Sequence, residues 1–104
     1  MAYQKLSPID QISEGKIYSF STRYFEIAIV RKSDEFFAFE DVCSHDGGSI
    51  SDGEIEENRV ICPRHFAAFD MKTGEVLCMP ATEGLKIFPT RINEGILEVL
   101  LEDE

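Results

Sequence analysis

Apolar positions along the chain fall in short alternating blocks, and no stretch carries a sustained 3.6-residue period. Residues 24–32 (YFEIAIVRK) are rich in aromatic and β-branched side chains, which suit a pleated surface. A shorter strand is predicted before them at 16–20. After the turn Ser33-Asp34-Glu35, another follows at 36–42, its Phe-Phe-Ala-Phe run reading as strand core. Short strands are also predicted at 59–61 and 75–77. Between them Phe69 leads into Asp70-Met71-Lys72-Thr73-Gly74, a tight turn whose glycine can take a positive φ. Pro80 breaks the chain, and residues 85–91 and 96–101 flank Asn93-Glu94-Gly95, a hairpin signal. A short helical turn is expected over 8–12, with Ser7 as cap and Pro8 at its first position. The acidic stretch 54–57 reads as a solvated face.

This pattern predicts an all-β protein, an antiparallel β-sandwich or barrel-like fold. With 104 residues the chain has length for one domain, and 43% hydrophobic residues suffice for a modest core. Two segments read as loops: residues 43–53, with three Gly among Ser and Asp, and the stretch opened by Cys62-Pro63.

Charge narrows the partners. Twenty Asp and Glu against ten Lys and Arg give a formal charge of −10. Nucleic acid needs a basic face, and anionic membrane surfaces repel such a chain, so neither is expected as a partner. A basic docking patch on another protein is compatible with it. The apolar runs are short and interrupted by Glu, and the start MAYQKLSPID does not read as a signal peptide. A cytoplasmic location is expected, where thiols stay reduced, and three Cys are too few for a disulfide scaffold.

The sharpest signal is the placing of the only two His, each just after a Cys: Cys43-Ser44-His45 and Cys62-Pro63-Arg64-His65. Two thiolates and two imidazoles can hold one Zn²⁺ tetrahedrally. Zinc fingers, however, usually put two Cys in one knuckle and two His in the other. Here each loop offers one of each, a division that suits a binuclear centre, with the Cys on one iron and the His on the other. Cys78 reads as a small buried hydrophobe, and Gly47 and Gly48 as positions that let backbone N–H groups approach a cluster.

The pattern Cys-x-His, a spacer over positions 46–61, then Cys-x-x-His resembles the Rieske ferredoxins. The resemblance runs from about residue 15 to residue 100. It takes in CSHDGG, CPRHFAAFD, the turn at Lys72-Thr73-Gly74 and the Pro-containing segment Met79-Pro80-Ala81, which in the family covers the cluster. It implies a single Rieske domain over residues 1–104, with a small cluster-binding lobe of two loops, at about 43–50 and 62–69. It also implies a [2Fe–2S] cluster held by Cys43, His45, Cys62 and His65, with both imidazoles at the exposed tip. Two ferric ions, two sulfides, two thiolates and two neutral imidazoles sum to zero, so one electron is accepted more easily than by an all-Cys cluster.

Where the respiratory branch of the family has an extra Cys in each loop, this chain has Gly48 and Arg64. Where that branch has a Ser and a Tyr donating hydrogen bonds to the cluster sulfurs, it has Ala67 and Phe69. Fewer donors place the expected potential toward the low end of the Rieske range. These departures resemble the soluble ferredoxins of bacterial ring-hydroxylating oxygenase systems. The implied function is then one-electron transfer from a flavin-dependent ferredoxin reductase to a terminal oxygenase, by transient docking near His45 and His65. The implied protein is an electron carrier, not itself an enzyme. A monomer fits such a shuttle, and Arg64 lies where a partner would dock. The oxygenases' mononuclear iron needs two further His, and this chain has none left. The alternatives are the small electron-transfer subunit of a nitrite-reductase-type complex and a structural zinc module.

Overall fold

The structure, a computed structural model, describes residues 2–23, 25–42, 48–62, 67–78 and 84–101, apart from the Cys78 side chain. Among the described residues it contains eleven strands and no α-helix. They are β1 (Ala2–Pro8), β2 (Ile17–Ser21), β3 (Glu26–Lys32), β4 (Glu35–Glu40), β5 (Glu54–Glu56), β6 (Arg59–Ile61), β7 (Ala68–Asp70), β8 (Val76–Cys78), β9 (Ile87–Phe88), β10 (Thr90–Asn93) and β11 (Ile96–Leu101). They form three antiparallel sheets, ordered β1-β11-β10, β2-β3-β4-β9 and β5-β6-β7-β8. The last sheet is the lobe; the first two are the base.

The second sheet is buried on both faces, which explains the unbroken apolar run of β3. Successive side chains on a strand point to opposite faces. Ile27 and Ile29 join Ala38, Phe88, Leu97, Val99 and Leu101 in a core against the first sheet. Ala28 and Val30 join Phe39 in a second core with Ile50, Val60, Cys62, Ala67, Phe69, Met71 and Leu85 from the lobe side. The register agrees, since Ala28 pairs with Phe39 and Ile29 with Ala38. The expected Phe-Phe-Ala-Phe core is therefore shared out between two interiors.

Several expectations are refined. The helical turn is a 3₁₀ turn over Ile9–Gln11 preceded by Pro8; the Ser7 hydroxyl donates to the Pro8 carbonyl at 3.0 Å and caps nothing. The strand expected over 85–91 is divided into β9 and β10, because Pro89 has no N–H for a ladder. The hairpin holds: Asn93 pairs with Ile96, and Glu94 and Gly95 take φ of 52° and 77°, the pair of positive values a two-residue turn needs. Strands β1 and β5 were not expected. Glu54 and Glu56 are exposed as anticipated, but Ile55 between them is half-buried against the lobe core, which makes the acidic segment an edge strand.

Candidate metal centre

Of the four expected ligands, Cys62 is described. Cys43, His45 and His65 lie outside the described residues, as do Gly47, Arg64 and the segment 79–81. Cys78 pairs with Ala68 through its backbone, and its side chain is likewise outside. Cys62 follows β6 directly. Its thiol is fully buried and free of any disulfide. Its N–H donates to the Ala67 carbonyl at 2.8 Å, which closes the root of the second loop.

The first loop is closed by a different device. Asp41, 4% exposed, follows β4. Its Oδ1 accepts the Ser51 N–H at 2.7 Å, and its Oδ2 accepts the Ser51 hydroxyl at 2.7 Å and the Ser19 hydroxyl at 2.8 Å. Residues 41 and 51 are thereby pinned to each other and to β2. The segment around Pro80 is closed by a third: the Leu85 N–H donates to the Gly74 carbonyl at 2.8 Å. Gly74 has a φ of 80°, and a Cβ there would overlap the Leu85 carbonyl oxygen; a Cβ on Gly84 would overlap the Gly74 carbonyl oxygen. The preceding turn is held by Asp70, whose Oδ1 accepts the N–H groups of Lys72 (2.8 Å) and Thr73 (3.1 Å).

All three roots converge on one interior. Ile50, Cys62, Ala67 and Leu85 belong to the core beneath the lobe. Ala67 and Phe69, the two positions singled out in the sequence for lacking a hydroxyl, are both fully buried. A buried free thiol opening a closed loop, beside a second loop rooted in the same core, fits a thiolate-ligated centre. Sequence reasoning missed Asp41, Ser19 and Ser51. Asp41 stands two residues before Cys43, but in so acidic a chain nothing marks it out.

A small antiparallel β domain with a buried free thiol at the root of a closed loop is the class that this fold and site define. The profile of the Rieske [2Fe-2S] domain family matches residues 2–89. The chain is 41% identical over 80 residues to the 3-phenylpropionate/cinnamic acid dioxygenase ferredoxin subunit of Photorhabdus laumondii, covering 76% of each. It is 36% identical over 97 residues to the anthranilate 1,2-dioxygenase ferredoxin subunit of Burkholderia cepacia, covering 93% of this chain and 90% of that one. In fold it is similar to a chain in the complex of reduced oxygenase and oxidized ferredoxin in carbazole 1,9a-dioxygenase. That match has a TM-score of 0.88 and 30% identity, covering 93% of this chain and 91% of that one. The chain belongs to the Rieske [2Fe-2S] domain family. Its cofactor is a [2Fe–2S] cluster, and it is an electron carrier of the ferredoxin kind rather than a catalytic component. Among the described residues no helix is long and apolar enough to cross a membrane.

Proposed function

We propose that Cys43, His45, Cys62 and His65 hold the cluster, and that the chain carries electrons from a flavin-dependent ferredoxin reductase to the terminal oxygenase of a ring-hydroxylating dioxygenase system. The observation that carries the ligand set is the fully buried, unpaired Cys62 at the closed root of its loop, in one core with Ile50 from the end of the other loop. The cluster, when bound, takes up one electron and gives it back. The chain's own residues hold it and limit its contact with water. Cys62 is buried in one core with Val60, Ala67 and Phe69, and that core, packed on sheet β2-β3-β4-β9, holds the loop roots. The dioxygenase assignment is supported by the two ferredoxin subunits above and by the carbazole dioxygenase complex. Docking is proposed near His45 and His65, with the chain a monomer in the cytoplasm. The net charge of −10 suits encounter with basic partner surfaces, which salt should weaken.

Spectra of the purified protein before and after dithionite, joined to titration with a flavoprotein reductase and NADH, test this reading. A red-brown protein that bleaches on reduction is expected, with an average g well below that of all-Cys clusters. It should accept electrons from the reductase without forming a lasting complex. A colourless protein holding one zinc would overturn it. A tight stoichiometric complex with a reductase would replace the shuttle by a fixed subunit.

A further inference from the structure

We propose that Asp41 is the positioning residue of the first cluster loop, tethering both its roots to strand β2 and supplying a fixed negative charge at the base of the centre. This rests on the reading of Cys43 and His45 as ligands. Burying a carboxylate is costly unless donors surround it. Asp41 receives three donors, the Ser19 hydroxyl and both the N–H and the hydroxyl of Ser51. Its own N–H donates to the Glu26 carbonyl at 2.8 Å, which fixes the residue against β3 as well. Among the described residues no cation forms an ion pair with it; its hydrogen-bond partners are dipoles.

The geometry separates two roles. Ser51 lies beyond the first loop and next to Ile50 of the lobe core, whereas Ser19 lies exposed on β2, opposite Ala28. The carboxylate thus joins the redox lobe to the base at the point where the chain enters the first loop. Its charge acts separately. An anion at the foot of a centre that becomes more negative on reduction opposes that reduction, and the low-dielectric interior strengthens the effect.

Substitutions resolve the two roles. In Asp41→Asn the amide oxygen can still accept the Ser51 N–H. The amide nitrogen can donate to the two hydroxyls, which rotate to accept. The tether survives and the charge is lost. Expected for Asp41→Asn is a reduction potential shifted to more positive values, with an unchanged rate of cluster bleaching and an unchanged EPR line shape. Expected for Asp41→Ala is cluster loss faster by about tenfold or more and faster hydrogen exchange at the Ser51 amide, since three part-buried bonds go together. Ser19→Ala, which removes one bond and no charge, should raise the bleaching rate modestly and leave the potential in place. It also keeps the tether testable if Asp41→Ala fails to fold. An Asp41→Asn potential equal to that of the unsubstituted protein would overturn the charge role. A Ser19→Ala bleaching rate equal to that of the unsubstituted protein would by itself overturn the tether, as would unchanged Ser51 protection in a folded Asp41→Ala. If the unsubstituted protein itself lacks the His-ligated EPR signal, the ligand reading fails and this proposal with it, an outcome told apart by that control alone.

Discussion

In the base, β1, β3, β4 and β11 run for six or seven residues, whereas every strand of the lobe has three. The base core is mainly aliphatic, and its outer sheet carries a fixed polar cluster. There Arg91 donates to Glu98 at 2.6 Å and lies 3.9 Å above the Tyr3 ring. The lobe relies instead on close backbone approaches that only glycine permits, at Gly53, Gly74 and Gly84, and on one shared interior with the second sheet. Three-residue strands are marginal on their own. The lobe therefore draws its order from the face of β3 and β4 beneath it, while the base also has its own longer ladders and a second core on its other face.

The largest test of that contrast is Cys62→Ser. The cluster should be lost entirely, and hydrogen exchange should then accelerate at Val60 and Phe69 while Ile29 and Val99 stay protected. Equal acceleration in both regions would break the distinction. Next comes a pair of cavities. Phe39→Ala, beneath the lobe, should cost about 3–5 kcal/mol, and Leu97→Ala, in the base, about 2–5 kcal/mol in denaturant titrations. Only the first should also hasten cluster bleaching. Gly74→Ala combines a positive φ with overlap on the Leu85 carbonyl and should cost about 1–3 kcal/mol. Gly95→Ala, at a similar φ with nothing within 4 Å, should cost less. Comparing their thermal midpoints isolates the overlap.

Ala67→Ser brings a hydroxyl to a fully buried position beside Cys62 and should raise the potential by roughly tens of millivolts, with little change in stability. Redox titration checks it, and an unchanged potential in a folded variant would remove the hydroxyl argument. The smallest effect belongs to the base alone. The hydrogen bond from Arg91 holds the Glu98 carboxyl below the usual carboxylate range, against the opposing effect of burial and with the charges of Arg91 and Lys5 adding to it. A lowered folded-state value stabilises the protein above the ordinary carboxylate value, and that stabilisation is lost as pH falls through the lower one. Thermal midpoints of Glu98→Gln should accordingly depend less on pH across the acid limb.

Much of this was legible in the chain because the signals were local. Residues 24–32 announce a strand by composition, Asp70 and Gly74 announce a turn, and the two Cys–His pairs announce the family. What stayed hidden is tertiary. Nothing in Glu54-Ile55-Glu56 shows that a neighbouring strand waits for its backbone. The 2–8 segment alternates too weakly to declare that it pairs along β11. The close approach of Gly84 to Gly74 joins residues ten positions apart, beyond the reach of any single-turn pattern. Asp41 is the clearest case. One acidic residue among twenty becomes distinctive only when folding brings Ser19 and Ser51 around it. The positions of Cys43, His45 and His65 rest on the sequence pattern, with Cys62 and the three closed loop roots as their structural footing.

The hairpin turn at Glu94 and Gly95 carries a practical consequence. It belongs to the outer sheet of the base, which packs on the face of the middle sheet opposite the lobe, and a Cβ on Gly95 would meet nothing within 4 Å. An electrode linker or fusion partner grafted at Glu94 would hold the molecule by its inert end, leaving the redox lobe turned outward for exchange with a soluble acceptor.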